Sequence, residues 1–329
     1  MLQEMKPQQQ EHLLEVKGLK KYFVSGNRAF NRSVEYIKAV DDLSFSIKPG
    51  ETLGVVGESG CGKSTMGRTV LRLQNPTSGE TYFKGENINQ YRKKQLRELR
   101  KEMQMIFQDP YASLNQRMTV GAMLREIVRA HDIVPKKETM GYIQQLLQDV
   151  GLNGEHYWRY PHEFSGGQRQ RISIARALAV KPELIICDEA VSALDVSVQA
   201  QVLNLLQRLK REYKLTYLFI SHDLSVVKHI SDRVAVMYLG RIVELTDKNS
   251  LYKNPLHPYT EALLSAIPEV GADEKRERII LRGDVPSPLN IPKGCRFHTR
   301  CPLATEKCKR IEPEYREVKD GHYVACHLV

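Results

Sequence analysis

What this chain lacks narrows the possibilities before any motif is read. Its opening stretch, MLQEMKPQQQEHLLEV, has no apolar segment behind a basic start, so no secretory leader is expected. No apolar run approaches the roughly 18 residues that suggest a membrane span. The chain is therefore expected to be soluble and cytosolic. Internal repeats and low-complexity tracts are missing, which sets aside solenoids and compositionally biased arrays. Cysteine is scarce through most of the length: only Cys61 and Cys187 precede residue 295.

Against that scarcity, Cys295, Cys301, Cys308 and Cys326 crowd the final stretch. Cytosolic thiols stay reduced, so such a group favours metal or cluster ligation over disulfides. The 329 residues allow about two domains and a large core. A net charge of +10 suits polyanions, whether nucleic acid, nucleotide or the anionic cytoplasmic leaflet. Much of that charge lies in mixed, solvated faces such as YRKKQLRELRKEM (91–103), so charge alone selects no partner.

Short β-branched runs alternate with helical patterns, which predicts βαβ units and a largely parallel core sheet. ETLGVVG (51–57), MQMIF (103–107), ELIICD (183–188), LTYLFIS (215–221) and RVAVMYL (233–239) read as strands, and TSGETYFKGENI (77–88) as antiparallel ones. A mostly helical insert follows residue 108, with helical periodicity from Val120 to about Val150. Near residue 255 prolines rise and periodicity fades, so a boundary is expected there.

Residues 57–65, GESGCGKST, fit G-x-x-x-x-G-K-[ST] at Gly57, Gly62, Lys63 and Ser64, between a strand and a helix as that pattern requires. Glycines let backbone N–H groups and the helix start face polyphosphate oxygens. The whole loop, with Glu58, Ser59, Gly60, Cys61 and Thr65, is the predicted phosphate cradle. Lys63 is expected to reach the β- and γ-phosphates and Ser64 to bind Mg²⁺. Cys61 is either a small filler or, at a helix N-terminus, a thiol of lowered pKa that alkylates readily unless MgATP covers it.

In LIICDE an apolar run precedes Asp188 and Glu189, as expected of a buried parallel strand with ligands at its carboxyl end. Asp188 is placed to hold the Mg²⁺ shell, and Glu189 to orient and deprotonate a water attacking the γ-phosphate. Cys187 reads as a buried structural thiol. Upstream, FSGGQRQRISIARAL predicts a second anion-ready helix start capped by Ser165.

These motifs, in this order, make residues 12–250 resemble ABC-type ATPases. FSGGQRQR (Ser165, Gly166, Gly167, Gln168) resembles the ABC signature and Gln108 the Q-loop glutamine. SALD, ending in Asp195, resembles the D-loop, and His222 in FISHD the switch histidine. Tyr22 in KKYF lies where the adenine-stacking aromatic is expected, with Phe23 as its competitor. Singly, each has a plainer reading: Gln108 opening a turn before Pro110, His222 as a structural histidine, either aromatic packing a strand.

The resemblance implies an α/β fold of the P-loop NTPase type. Its nucleotide-binding domain (12–255) would have a RecA-like mixed sheet core, an antiparallel β subdomain and a helical subdomain at about 109–165. A small Cys-rich C-terminal domain (256–329) would follow. Two cassettes would face head to tail, each ATP lying between one chain's phosphate loop and the other's SGGQ turn. Glu189 would activate water and His222 would bond the γ-phosphate. Gln108 would join Ser64 and Asp188 around Mg²⁺ and link that site to the helical insert. The family usually has Pro after the glutamate; Ala190 here changes backbone stiffness rather than chemistry.

QDPYASLNQRMTVG (108–121), YPHEFSGGQRQR (160–171) and NPLHPYTEALLSAIP (254–268) resemble the ATP-binding subunits of dipeptide and oligopeptide permeases, closest to the second, F-type, partner. That implies a peripheral protein on the cytoplasmic face of the cell membrane. Its partners would be a second ATPase subunit, in a heterodimer or homodimer, two transmembrane permease subunits and an extracytoplasmic peptide-binding protein. No nucleic acid is expected. Nickel or another small solute is the alternative cargo, and a non-transport ABC ATPase acting on nucleic acid or ribosomes the alternative class.

The cysteine gaps are C-x₅-C, C-x₆-C and C-x₁₇-C, without the C-x₂₋₄-C knuckles usual for structural zinc. A [4Fe–4S] centre also takes four thiolates and tolerates wider spacing. The family resemblance points the same way, with Zn²⁺ and four free thiols as alternatives. His298, His322 and His327 are nearby candidate ligands that read as solvated or structural.

Overall fold

The computed structural model describes residues 11–25, 35–267 and 278–329. The chain opens with β1 (Leu14–Ser25) and β2 (Glu35–Ile47), then the fully buried β3 (Thr52–Val56), the glycine-rich loop and α1 (Lys63–Val70). A hairpin of β4 (Ser78–Phe83) and β5 (Glu86–Asn87) turns through Lys84 and Gly85, both at positive φ. Next come α2 (Lys93–Glu102), β6 (Met103–Ile106) and the helical insert: α3 (Pro110–Ser113), α4 (Val120–Ala130), α5 (Thr139–Asp149) and α6 (Gly166–Leu178). Pro110 occupies the first turn of α3, where no N–H is needed, and Asp109 and Thr119 cap α3 and α4.

The main sheet is then completed by β7 (Leu184–Asp188), α7 (Val196–Tyr213), β8 (Thr216–Ile220), α8 (Leu224–Ile230), β9 (Arg233–Tyr238) and β10 (Arg241–Asp247). α9 (Lys248–Lys253), α10 (Pro258–Ser265), α11 (Glu306–Arg310), β11 (Arg316–Lys319) and β12 (His322–Val324) end the chain. One four-stranded antiparallel sheet has the order β2-β1-β4-β5. The eight-stranded sheet runs β11-β12-β10-β9-β3-β8-β7-β6, parallel from β9 to β6 and antiparallel beyond. The strands predicted at 51–57, 103–107, 183–188, 215–221 and 233–239 are all present within a residue or two.

Alternate residues of the central strands serve two cores. Leu184, Ile186, Leu218 and Ile220 meet β1, β2 and α1 on one face. Ile185, Cys187, Tyr217 and Phe219 meet α4 to α8 on the other. Burial on both faces is why these strands read as unbroken apolar runs.

Beyond the boundary expected near residue 255, the chain packs on these same cores. Phe297 is buried against Tyr238, Tyr259 and His257, with ring centroids 5.3, 5.3 and 5.7 Å away. β12 pairs with β10 through Glu244↔Val324 and Leu245↔Tyr323. The Glu244 carboxylate, buried in β10, accepts the N–H groups of Leu256 and His257 at 2.8 and 3.0 Å, and His322 Nε2 lies 2.8 Å from it. Those contacts pay for burying an acid.

His257 caps α10, its Nδ1 accepting the Tyr259 N–H at 3.1 Å. Burial lowers its pKa from 6.5 to about 4. The unfolded chain therefore binds this proton at higher pH than the folded one, and stability falls as pH drops from about 6.5 toward 4. Urea titrations should show His257 costing about 2 kcal/mol between pH 7 and pH 5, a loss that His257→Asn, which keeps a cap acceptor, removes. An identical loss in both proteins would show that the ring is not held neutral.

Candidate functional site

β3 delivers the chain into the glycine-rich loop, and α1 leaves it. Gly62 adopts φ +106, and a Cβ there would lie 2.0 Å from the Ala39 carbonyl oxygen, so only glycine fits. Lys63 is buried and folds back on its own loop, donating to the carbonyls of Gly57 at 2.6 Å and Glu58 at 3.0 Å. An ammonium parked on the backbone oxygens of its own loop is poised to exchange them for anionic oxygens.

Ser64 Oγ donates to Asp188 Oδ1 at 2.6 Å, joining the start of α1 to the end of β7. Asp188 Oδ2 is buried without a hydrogen-bond partner, the nearest cation being the Arg68 guanidinium at 3.7 Å. Burial pushes the Asp188 carboxyl above its ordinary pKa, partly offset by the Ser64 bond. A hydroxyl beside an orphaned carboxylate oxygen fits a hard divalent cation that draws its other ligands from phosphate and water. Among the described residues no group of three or more His, Cys, Asp or Glu could hold a metal ion, and that includes the predicted ligand set Cys295, Cys301, Cys308 and Cys326.

Glu189 stands next to it at φ +49, a strained setting for a non-glycine residue, with its N–H bonded to the Ile220 carbonyl at 3.0 Å. The Gln108 amide donates to Glu189 Oε2 at 2.8 Å, and His222 Nδ1 lies 3.4 Å from the same oxygen. Gln108, Glu189 and His222, drawn from three strand ends, thus meet at one carboxylate. Ala190 is buried and accommodated.

Ser165 and Gln168 form a reciprocal cap on α6: Gln168 N–H donates to Ser165 Oγ at 3.3 Å and Ser165 N–H to Gln168 Oε1 at 3.1 Å. A Cβ at Gly167 would lie 2.4 Å from Val198 Cγ1, so this turn is pressed against α7. Asp195 caps α7 through Val198 N–H at 3.0 Å and Ser197 Oγ at 2.7 Å, and those donors lower its pKa. Among the described residues no hydrogen bond joins Ser165–Gln168 or Asp195 to residues 57–65.

Two sequence expectations meet complications. Tyr22 donates its hydroxyl to Asp41, and Lys38 Nζ sits 5.6 Å from its ring centroid, whereas Phe23 is exposed. The readily alkylated Cys61 is corrected: its thiol is 3% exposed, and burial raises its pKa despite the neighbouring Lys63 ammonium. Desolvation outweighs the helix start.

Sequence reasoning missed the contacts from the C-terminal segment. Arg300 grips the Glu58 carboxylate with two bonds, 2.7 and 3.0 Å. Tyr259 Oη accepts the Glu58 N–H at 3.0 Å. Arg296 bonds Asp41, the partner of Tyr22. Burial pushes the Asp41 carboxyl up, yet the bonds from Tyr22 and Arg296 outweigh it and the net shift is downward. Two arginines in a Cys-rich run carry no motif that sequence could flag.

Cys295, Cys301, Cys308 and Cys326 are all unbridged; Cys308 is buried and the other three are half-buried. Burial raises Cys295 to about 11, with the other three thiols adding to the rise. The Leu328 N–H donates to Cys326 Sγ at 3.5 Å. Thr305 Oγ1 lies 3.3 Å from Cys308 Sγ. Burial also raises the thiols of Cys301 and Cys326, which favours the neutral form of each. His322 is engaged by Glu244, and the ring nitrogens of His298 and His327 by the carbonyls of Cys295 and Ile311.

Residues 40–192 match the family described as ABC transporter, and residues 243–308 the family described as oligopeptide/dipeptide transporter, C-terminal region. The chain is 58% identical over 322 residues to the oligopeptide transport ATP-binding protein AppF of Bacillus subtilis (strain 168), covering 97% of this chain and 98% of that one. It is 51% identical over 316 residues to the dipeptide transport ATP-binding protein DppF of Haemophilus influenzae, covering 95% and 96%. The dimeric post-hydrolysis state of the ATP-binding cassette MJ0796 bound to ADP and Pi superimposes with a TM-score of 0.62, at 26% identity, over 71% of this chain and 98% of that one.

The buried thiol gives a direct check. Native, nucleotide-free protein should leave Cys61 unlabelled by iodoacetamide at neutral pH, while the urea-unfolded chain labels normally by peptide mass spectrometry. Rapid native labelling would place the sulfur at the surface.

Proposed function

We propose a function from one premise: this chain belongs to the family of ABC transporter ATP-binding proteins of the oligopeptide and dipeptide type. It is the ATPase subunit of a peptide importer, using ATP and Mg²⁺. The reading is carried by one observation, the meeting of Gln108 and His222 on the Glu189 carboxylate beside the Ser64–Asp188 pair.

The residue roles follow from that geometry. Lys63 leaves the carbonyls of its own loop for the β- and γ-phosphate oxygens of ATP. Ser64, Asp188 and Gln108 would hold Mg²⁺, which would supply charge neutralisation at the phosphates. Gln108 then releases Glu189, which orients a water for in-line attack. His222 turns from Glu189 to the γ-phosphate. Tyr22 supplies the platform for the base. The turn from Ser165 to Gln168, through the N–H groups of Gly166 and Gly167 in the first turn of α6, closes on ATP held by a facing subunit, and Asp195 lies in that same contact. One phosphate loop and one signature turn per chain let it serve both sites of a dimer.

The assembly is a pair of ATPases, heterodimeric with a related subunit, on the cytoplasmic face of two membrane permease subunits, with an extracytoplasmic binding protein delivering peptide. Residues 12–255 act as the nucleotide-binding domain, with 109–165 receiving the membrane subunits, and 256–329 as the Cys-rich addition. Cys295, Cys301, Cys308 and Cys326 hold an iron–sulfur centre. Their sequence spacing, without the C-x₂₋₄-C knuckles of structural zinc, supports that reading over a single zinc ion.

Glu189→Gln should lower steady-state hydrolysis by 10²-fold or more, while the variant retains MgATP in a closed dimer by gel filtration. Undiminished hydrolysis would remove Glu189 from its role. Anaerobically purified protein should carry iron and acid-labile sulfide, lost on replacing Cys295 and Cys301 with serine. Stoichiometric zinc without iron would reject the centre.

A further inference from the structure

Between Cys295 and Cys301 lies a short run, Arg296 to Arg300, that reaches both ends of the nucleotide site. Phe297 anchors it in the core at 1% exposure. Arg296 is also buried; its guanidinium bonds Asp41, the Leu239 carbonyl and Glu312. Arg300, its side chain 8% exposed, holds both oxygens of Glu58 and lies 6.0 Å over the Tyr238 ring. Burying a guanidinium is costly unless it is paired, and removing one partner strands the other. Both arginines pair with carboxylates of nucleotide-facing elements.

The consequences for those elements are specific. Glu58 is held at three points: its carboxylate by Arg300, its N–H by Tyr259 Oη at 3.0 Å, and its carbonyl by Lys63 at 3.0 Å. Lys63 must let go of that carbonyl to reach phosphate, leaving the other two to keep the loop in shape. On the opposite side, Asp41 accepts from both Tyr22 and Arg296. The Leu239–Gly240 turn ties the two together. Its Leu239 carbonyl takes Arg296, its Gly240 N–H donates to the Cys61 carbonyl at 2.9 Å, and its Gly240 carbonyl accepts from Asp41 N–H at 2.9 Å.

We propose that Arg296 and Arg300 are positioning residues for nucleotide binding. Arg300 holds the phosphate loop through Glu58, and Arg296 holds Tyr22 through Asp41. The proposal rests on the reading of residues 57–65 as the ATP loop. It makes the docking of the C-terminal segment a determinant of ATP affinity, because each arginine adjoins a cysteine of that segment. A loop ordered in advance binds more tightly, since less freedom is lost on binding.

The test measures affinities of the purified full chain for MgATP and for magnesium tripolyphosphate, which lacks the base. Arg300→Ala should weaken both about tenfold, and Arg296→Ala should weaken MgATP more than tripolyphosphate; equal losses for the two ligands in Arg296→Ala would overturn its role through Tyr22. In the assembled complex KM for ATP should rise with kcat retained, the signature of lost binding rather than lost chemistry. Arg300→Lys keeps charge and stem but loses the two-pronged grip, so it should bind MgATP between the wild type and Arg300→Ala. Hydrogen exchange at residues 57–62 should quicken in that variant while α5 stays unchanged. If Arg300→Ala does not fold, Arg300→Lys decides: wild-type affinity together with wild-type exchange at 57–62 overturns the proposal. Failure of the wild-type protein itself to bind MgATP would instead overturn the reading of the loop.

Discussion

The parallel register of β7, β8 and β3 is the constraint from which the site follows. Ile220 is the pairing partner of both Val55 and Asp188, so the three strands end at one level. From that shared edge emerge the glycine-rich loop after β3, the Asp188–Glu189 pair at the end of β7, and His222 just after β8. Apolar burial on both faces sets the register, because a slip of one residue would exchange the side chains of the two cores. The chemistry at the strand ends is carried along by packing that contains no catalytic residue. The left-handed φ of Glu189 is the cost of turning a carboxylate back over that edge.

A second theme is how the C-terminal segment meets the rest. Three carboxylates of the main body, Asp41, Glu58 and Glu244, find partners in Arg296, Arg300 and His322. Each is an acid whose burial would be unfavourable alone. The segment therefore completes the electrostatics of the cassette, and its own apolar residues complete the cassette's core. Two independent packing units joined by a linker would share neither.

Much of this was legible in sequence, for reasons that differ by element. β7, β8 and β9 could be read because burial on both faces leaves an unbroken apolar string. The loop at 57–65 could be read because phosphate binding needs glycines at set offsets, and Ser165 because an N-cap needs an acceptor. Cys61 was misread: the helix start argues for an acidic thiol, but only tertiary packing reveals that the sulfur is desolvated. β12, three residues long, has no periodicity to detect, and its pairing with β10 depends on a partner 78 residues away in the Glu244–His322 contact. The arginine contacts to Glu58 and Asp41 were hidden for the same reason, since pairing across more than two hundred residues leaves no local trace.

The edge of the large sheet carries one more implication. β12 covers the hydrogen-bonding side of β10, and β11, with the short charged sequence REVK, ends the sheet. Without them, β10 would present bare backbone donors and acceptors beside buried Leu245, an invitation for strands of neighbouring molecules to add on. β11 and β12 thus guard that edge: a chain cut before them would leave β10 open to pairing with strands of neighbouring molecules.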